Sequence, residues 1–125
     1  GHNVAIVGVG NLGRAITAFL RKSKSTLNIT AAFDQDPAKT DREITGVRCF
    51  DIQRIPEVVT RLNISIAILT VPPEVAADMA ALLIESGIKG ILNFTSVHLD
   101  VPKGIYLKDY DIITSLEEIG FFIKD

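Results

Sequence analysis

Apolar runs of strand length alternate with stretches of helical periodicity along this chain of 125 residues. The first run, Asn3–Val7, is almost continuously apolar, which is typical of a parallel strand buried on both faces. Asn11–Lys22 follows with apolar residues at helical spacing, and these are predicted to form one buried stripe: Leu12, Ala15, Ile16, Phe19 and Leu20. Further strands are predicted at Asn28–Phe33, Val47–Phe50, Ser65–Val71, Gly90–Phe94 and Gly104–Leu107.

Helices are predicted between and after these strands. One covers Gln53–Leu62, with Pro56 in its first turn, where a missing N–H is tolerated. Pro72-Pro73 stops a strand and opens a helix over Glu74–Ser86, which Gly87 ends as a C-cap. The alternation of strands and helices predicts an α/β fold, namely a Rossmann-like doubly wound parallel sheet with helices on both faces.

A last amphipathic helix is predicted over Asp111–Lys124, with Asp111 as its N-cap. Its apolar stripe consists of Ile112, Leu116, Ile119, Phe122 and Ile123. This stripe could pack against the chain's own sheet. Because Phe121 and Phe122 are adjacent and point to different sides, burial against a second subunit is the preferred interpretation.

Composition narrows the class of protein. Hydrophobic residues make up 47% and charged residues 22%, which indicates a compact single domain rather than a disordered chain. The net charge of −2 gives no electrostatic preference for nucleic acid. The single cysteine, Cys49, excludes an internal disulfide and most cysteine metal sites, and we expect it in the core. With no apolar stretch of membrane length and no secretion signal, a cytoplasmic protein without a metal site is predicted. Gly1-His2 is expected to be a tag remnant, so the chain is expected to be one domain of a longer protein.

The candidate chemistry is a glycine motif between the first strand and the first helix. Gly8 permits the tight turn, Gly10 leaves room for a pyrophosphate to approach the backbone, and Gly13 lets the helix pack closely on the strand. Unpaired N–H groups at the start of the helix favour a negatively charged phosphate. The whole G-x-G-x-x-G motif is therefore predicted to bind a cofactor: Gly8, Val9, Gly10, Asn11, Leu12 and Gly13.

An acidic residue ends the second predicted strand, as a dinucleotide site requires. Asp34 lies about 20 residues beyond Gly13, where a carboxylate can accept hydrogen bonds from both hydroxyls of the adenosine ribose. The same charge repels the 2′-phosphate of NADP, and no arginine follows immediately to compensate. NAD(H) is therefore the predicted cofactor. Lys39 either reaches the adenosine end of the cofactor or is solvated, and Asp36 is expected to cap a turn.

Two further segments are expected at the ligand edge of the sheet, because ligands of open α/β sheets bind at the carboxyl ends of the strands. Thr70, Val71 and Pro72 end one strand, and Asn93 and Phe94 end the next. Both segments are predicted to approach the nicotinamide half, although Phe94 could equally be a core aromatic. His98 has no Ser, Cys or Asp constellation around it in the sequence, and no catalytic residue is predicted.

These segments together resemble the cofactor domain of Rex, a family of bacterial redox-sensing transcriptional repressors. The resemblance spans nearly the whole chain through VGVGNLGRAI (Val7–Ile16), FDQDPAK (Phe33–Lys39), ILTVPPEVA (Ile68–Ala76), GIKGILNFTSVHLDVPKG (Gly87–Gly104) and DIITSLEEIGFFI (Asp111–Ile123). Two departures fall in one loop. Ser96 stands where the family usually has proline, and His98 where it has arginine.

The resemblance implies an NAD(H)-binding domain over residues 1–110 and a dimerisation helix over residues 111–125 that is exchanged between the subunits of a homodimer. It also implies that operator DNA is bound only through an N-terminal winged-helix domain that these residues do not include. The implied function is to sense the NADH/NAD⁺ ratio. NADH closes the dimer and thereby relieves DNA binding.

Two other functions share this fold. A dehydrogenase fragment needs a substrate pocket and an acid–base group, and the about eighteen residues after Leu107 are too few to build them. A module that binds CoA or a nucleotide sugar is the second alternative, and Asp34 disfavours CoA because CoA carries a 3′-phosphate near that region. A sensor domain rather than an enzyme is therefore predicted.

Overall fold

The computed structural model describes residues 1–123 of the chain. Within them one sheet contains β1 Asn3–Val7, β2 Asn28–Asp34, β3 Arg42–Ile44, β4 Val47–Asp51, β5 Ile64–Leu69, β6 Gly90–Asn93 and β7 Tyr106–Asp109. The helices are α1 Asn11–Lys22, α2 Ile55–Arg61, α3 Pro73–Glu85 and α4 Ile112–Phe122, and a 3₁₀ turn at Ile52–Arg54 precedes α2. Lys124 and Asp125, which the sequence interpretation placed in the last helix and the dimerisation segment, lie outside the described residues.

The strand order in the sheet is β3-β4-β2-β1-β5-β6-β7. All neighbouring strands are parallel except β3 and β4, which form an antiparallel hairpin at one edge. The chain runs outward from β1 to β2 and β4, then returns to β5 on the other side of β1. The order therefore reverses between β1 and β5, where open α/β sheets bind ligands at the carboxyl ends of their strands. The predicted Rossmann-like doubly wound fold is confirmed.

Alternate residues of the strands pack into two apolar clusters on opposite faces of the sheet. On one face Val7 and Phe33 pack with residues of α2 and α3 such as Ile55 and Leu83. The other cluster joins strand residues to Ile16 and Leu20 of α1. Helices therefore cover both faces, as the strand–helix alternation predicted.

Cys49 lies in the cluster beneath α1 and is fully buried, as expected of a core residue. Burial, with a smaller contribution from the nearby charge of Asp34, raises the pKa of its thiol to about 11. The thiol therefore stays protonated at neutral pH, and Cys49 is a packing residue rather than a nucleophile.

Element boundaries differ from the sequence prediction where the chain turns. The strand β3 was missed because it is only three residues long and joins β4 through Thr45 and Gly46, both at positive φ. The predicted strand Ser65–Val71 ends two residues earlier, at Leu69, and β7 begins at Tyr106 rather than Gly104. Gly87, with φ of 113°, follows α3 as predicted, in the left-handed conformation that glycine adopts without a steric penalty.

The stripe predicted to be buried on α1 is wrong in part. Leu12 is 46% exposed and Phe19 is 72% exposed, whereas Gly13 and Thr17 are the buried residues of this helix. A Cβ added to Gly13 would collide with the carbonyl oxygen of Gly8, and the Thr17 hydroxyl donates to the carbonyl of Gly13 at 2.7 Å. These small residues let α1 lie close to the sheet, so the contact face rotates away from Leu12 and Phe19.

A Gly13→Ala substitution is expected to destabilise the domain by about 1–3 kcal/mol, because the new methyl group would force α1 away from the Gly8 carbonyl. Chemical denaturation measures the change in the free energy of unfolding. The matched control is Gly10→Ala on the same turn, whose Cβ would meet no atom within 4 Å and should leave stability almost unchanged. Equal losses in both variants would contradict the packing role of Gly13.

The last helix exposes its side chains to solvent. Asp111 caps it as predicted, and its carboxylate accepts hydrogen bonds from the N–H of Thr114 at 2.9 Å and from the Thr114 hydroxyl at 2.7 Å. These bonds lower the pKa of Asp111. No residue of α4 is buried, and Phe121 and Phe122 are 82% and 81% exposed. The apolar stripe therefore does not pack against the chain's own sheet, and that alternative is wrong.

Candidate functional site

The three glycines of the motif meet three different constraints. Gly8 has φ of 98°, and a Cβ there would lie 2.6 Å from the carbonyl oxygen of Thr70. Gly13 packs against Gly8, as described above. A Cβ on Gly10 would meet nothing within 4 Å. Gly8 and Gly13 therefore serve the fold, whereas Gly10 borders open space that a ligand can occupy.

That open space lies at the start of α1. Gly10 is the N-cap of this helix and supplies no side-chain hydrogen bond, and the first turn contains no acidic residue. Asn11 and Leu12 begin the helix with exposed side chains. The first N–H groups of α1 therefore have no side-chain cap, which leaves the positive end of the helix dipole suited to an anion such as a phosphate.

A cleft of about 390 Å³ opens beside the glycine turn. The predicted site residues that line it are Gly8, Val9, Gly10, Asp34, Lys39, Thr70, Val71 and Pro72. The other lining residues were not predicted to belong to the site, and Asp36 among them was expected only to cap a turn; they are Phe33, Gln35, Asp36, Ile52, Val75 and Met79. Thr70 was predicted because ligands of open α/β sheets bind at the carboxyl ends of the strands. The same argument applies to Gln35 and Ile52, because each directly follows a strand.

Asp34 and Lys39 both contact the glycine turn. The Asp34 carboxylate accepts hydrogen bonds from the backbone N–H of Val9 at 2.7 Å and of Asp36 at 2.9 Å, one on each oxygen. Each carboxylate oxygen can accept a second bond, so Asp34 keeps capacity for two ribose hydroxyls. The Lys39 ammonium donates to the carbonyl of Val9 at 2.9 Å instead of extending into solvent.

A second cleft, of about 530 Å³, lies at the same end of α1 and includes Leu12 and Phe94. The ring of Phe94 is half-buried and packs on Tyr110 with 4.8 Å between ring centroids. One ligand region was expected to contain Phe94 together with Thr70, Val71 and Pro72. The structure instead places these three residues in the first cleft and Phe94 in the second. The reason is the strand order, because β5 lies beside β1 whereas β6 is one strand further out.

Asn93 is buried, and its side-chain amide is fully engaged within the chain. The amide donates to the carbonyl of Val97 and to the Asp109 carboxylate, both at 3.0 Å. Its oxygen accepts from the backbone N–H of Thr95 at 2.9 Å and from the Thr95 hydroxyl at 2.7 Å. The structure therefore places Asn93 beneath the second cleft, where it holds the loop that carries Phe94.

Catalytic or metal-binding chemistry would require a cluster of titratable side chains among residues 1–123. His98 and Asp100 approach to 3.5 Å, but both side chains are almost fully exposed. In this part of the chain, no group of three or more His, Cys, Asp or Glu side chains is placed to hold a metal ion. Within the same range, none of the helices has the length and apolar character needed to cross a membrane.

Comparison with known proteins assigns the family. Residues 1–97 match the family model described as CoA binding domain. The chain belongs to the CoA-binding domain family. One relative is the redox-sensing transcriptional repressor Rex of Leuconostoc citreum (strain KM20), 40% identical over 123 residues, or 98% of this chain and 57% of that protein. The chain thus spans little more than half the length of the curated relatives that it matches.

Solved structures of Rex-family repressors are also similar to this chain. The crystal structure of RSP, a Rex-family repressor, matches this chain with a TM-score of 0.89 and 32% identity. The match covers 96% of this chain and 57% of the RSP chain. RSP has also been solved in complex with beta-NADH, and in complex with beta-NAD⁺ and operator DNA. The predicted resemblance to Rex is confirmed.

The relatives are named as transcriptional repressors and not as enzymes, in agreement with the prediction of a non-enzymatic domain. A dehydrogenase, UDP-D-quinovosamine 4-dehydrogenase from Vibrio fischeri, matches at 19% identity with a TM-score of 0.63, over 74% of this chain and 77% of that one. This similarity shows the shared fold alone.

Proposed function

We propose that this chain is the NAD(H)-binding sensor domain of a redox-sensing transcriptional repressor of the Rex type. The observation that carries the proposal is the arrangement around one cleft. Open space at Gly10, the uncapped start of α1 and the Asp34 carboxylate border the same cavity. A dinucleotide needs these three features together, for its pyrophosphate and its adenosine ribose. The Rex-family complex with beta-NADH supports the same cofactor.

The two clefts suit the two halves of a dinucleotide. The first has apolar walls at Ile52, Val71 and Val75, which suit an adenine ring, and Asp34 lies beside it for the ribose. The pyrophosphate would pass over Gly10 at the start of α1. The nicotinamide half would then extend toward the second cleft, where Phe94 lies. In this arrangement Thr70, Val71 and Pro72 serve the adenosine side rather than the nicotinamide side.

Redox sensing requires a difference in affinity between the reduced and oxidised cofactors. The nicotinamide ring is neutral in NADH and cationic in NAD⁺, so burying it costs less free energy in the reduced form. A hundredfold preference corresponds to about 2.7 kcal/mol, and this difference limits how far the cofactor shifts a conformational equilibrium. We propose that NADH favours a closed dimer and that closure weakens the binding of operator DNA.

The dimer and the DNA contact involve parts of the protein other than the clefts. Residues 1–110 are proposed to form the NAD(H)-binding unit, and residues 111–125 to form a helix exchanged between two subunits. The exposed apolar side chains of α4 support that exchange. Operator DNA is assigned to a winged-helix domain outside these residues, because the chain spans 57% of its Rex relative and carries a net charge of −2.

CoA is the competing ligand, since the family model is described by CoA binding. The first cleft carries two carboxylates, Asp34 and Asp36, with Lys39 as the cation among its lining residues. Two negative charges against one positive charge repel an additional phosphate, so the cleft disfavours both the 3′-phosphate of CoA and the 2′-phosphate of NADPH.

Titration calorimetry with NADH, NAD⁺, NADPH and CoA tests the proposal. NADH is expected to bind, and NADPH to bind at least about tenfold more weakly because of repulsion by Asp34. The matched variant Asp34→Asn keeps the shape of the side chain, removes its charge and should narrow the gap between NADH and NADPH. If CoA or NADPH binds as tightly as NADH, the proposed cofactor is wrong.

A further inference from the structure

The backbone of Val9, in the middle of the glycine turn, is bonded at both of its polar groups. Its N–H donates to the Asp34 carboxylate at 2.7 Å, and its carbonyl accepts from the Lys39 ammonium at 2.9 Å. Asp34 ends β2, and Lys39 lies on the turn that follows it. One short segment, 34–39, therefore contacts the glycine turn through two hydrogen bonds.

Thr70 adds a third contact from the other side of the cleft. Its hydroxyl lies 2.6 Å from the carbonyl oxygen of Gly8, to which it donates. The peptide between Gly8 and Val9 is thus bonded at its oxygen by Thr70 and at its N–H by Asp34. The next peptide, between Val9 and Gly10, is bonded at its oxygen by Lys39.

This second peptide matters because its N–H belongs to Gly10, the residue beside the open space. Two glycines flank Val9, and glycine loses more conformational freedom on ordering than any other residue. A turn of this composition therefore needs contacts from outside to hold one shape. The Lys39 bond is such a contact, and a cation bonded to a carbonyl also polarises the N–H of the same peptide and makes it a better donor.

We propose that Lys39 is a positioning residue: it holds the Val9–Gly10 peptide in the orientation that receives a pyrophosphate, and it acts through the backbone rather than by touching the ligand. The proposal rests on the dinucleotide function given above. Lys39 thereby reduces the ordering that ligand binding would otherwise have to impose on the turn.

The first test uses no ligand. In ¹H–¹⁵N NMR spectra of the free protein, Lys39→Met should shift the amide signal of Gly10, because the carbonyl of the same peptide loses its cation. Lys39→Arg should keep the signal near its original position. The matched control is Lys103→Met, which removes one charge from an exposed lysine on the turn before β7. If the amide signal of Gly10 keeps its position in the Lys39→Met spectrum, the proposal is overturned.

The second test compares ligands with and without a pyrophosphate. Lys39→Met is expected to weaken the binding of ADP-ribose and of NADH by the same factor, about tenfold. Adenosine, which has no phosphate, should bind Lys39→Met and the unmodified chain equally, and Lys39→Arg should recover most of the ADP-ribose affinity. An equal loss for adenosine would mean that Lys39 contacts the nucleoside directly.

Salt dependence separates positioning from a direct ion pair. If Lys39 paired with the pyrophosphate, Lys39→Met would flatten the dependence of log Kd on log salt, whereas a positioning role leaves the slope unchanged. A flatter slope therefore overturns the proposal. Lys39→Gln, which keeps a donor, replaces the methionine variant if thermal melting shows that variant to be unfolded. If the unmodified chain does not bind NADH, the proposed function fails, while the Gly10 amide still shows whether Lys39 holds the turn.

Discussion

Replacing Gly10 with valine is expected to abolish NADH binding while the domain stays folded. The backbone at Gly10 is extended, with φ of −89° and ψ of −160°, so a residue with a side chain meets no left-handed backbone strain there. A Cβ at this position meets no protein atom within 4 Å, so the folded chain has room for the new side chain. The branched side chain would instead occupy the space at the start of α1 that the pyrophosphate needs. We expect a loss of at least about a hundredfold in affinity, or 2.7 kcal/mol.

Titration calorimetry measures this loss, and circular dichroism verifies that the variant is folded. The matched control is Gly120→Ala, a glycine of α4 whose Cβ would also meet nothing within 4 Å. The control should bind NADH with unchanged affinity because Gly120 lines neither cleft. A folded Gly10→Val variant that still binds NADH would place the ligand elsewhere on the molecule.

Removing the aromatic side chains at the end of α4 is expected to convert a dimer into a monomer. Phe121 and Phe122 pack edge to face with 5.7 Å between ring centroids, and both remain about four-fifths exposed at 82% and 81%. Adjacent residues of a helix point about 100° apart, so a single flat surface covers only one of the two rings well. Two rings facing different directions therefore favour burial between two bodies, as an exchanged helix provides.

The expected effect is large because the contacts of a symmetric dimer occur twice. Burying one aromatic side chain contributes about 1.5–3 kcal/mol, and each subunit offers both rings. Sedimentation equilibrium at tens of micromolar should show a dimer for the intact chain. It should show a monomer, or aggregate, for Phe121→Ser/Phe122→Ser and for a chain lacking Ser115–Asp125.

A control on the same helix separates the interface from helix stability. Glu117→Ser/Glu118→Ser changes two neighbouring residues that are also exposed but polar, and it should leave the dimer intact. If the intact chain sediments as a monomer under these conditions, helix exchange does not operate in this chain. If the glutamate variant also dissociates, the helix itself rather than its aromatic residues is at fault.

The sequence was sufficient for the parts of this protein that depend on short stretches of chain. Local backbone geometry alone explains the nearly continuous apolar run of β1, the glycines that follow it and the acidic residue at the end of β2. The α/β order, the turn at Gly8–Gly13 and the position of Asp34 at its edge were therefore predictable. The Asp111 cap was predictable for the same reason, because its partner Thr114 is three residues away.

Only the tertiary structure decided the features that join distant residues. The periodicity of α1 allows more than one buried face, and the close approach of Gly13 to Gly8 selected the one that leaves Phe19 exposed. The strand order assigned Thr70 and Phe94 to separate clefts, and no local pattern contains that order. The bond from Lys39 to the Val9 carbonyl crosses 30 positions of the chain. Contacts of this kind depend on how strands and helices pack against one another, because side-chain spacing within one segment carries no information about its neighbours in space.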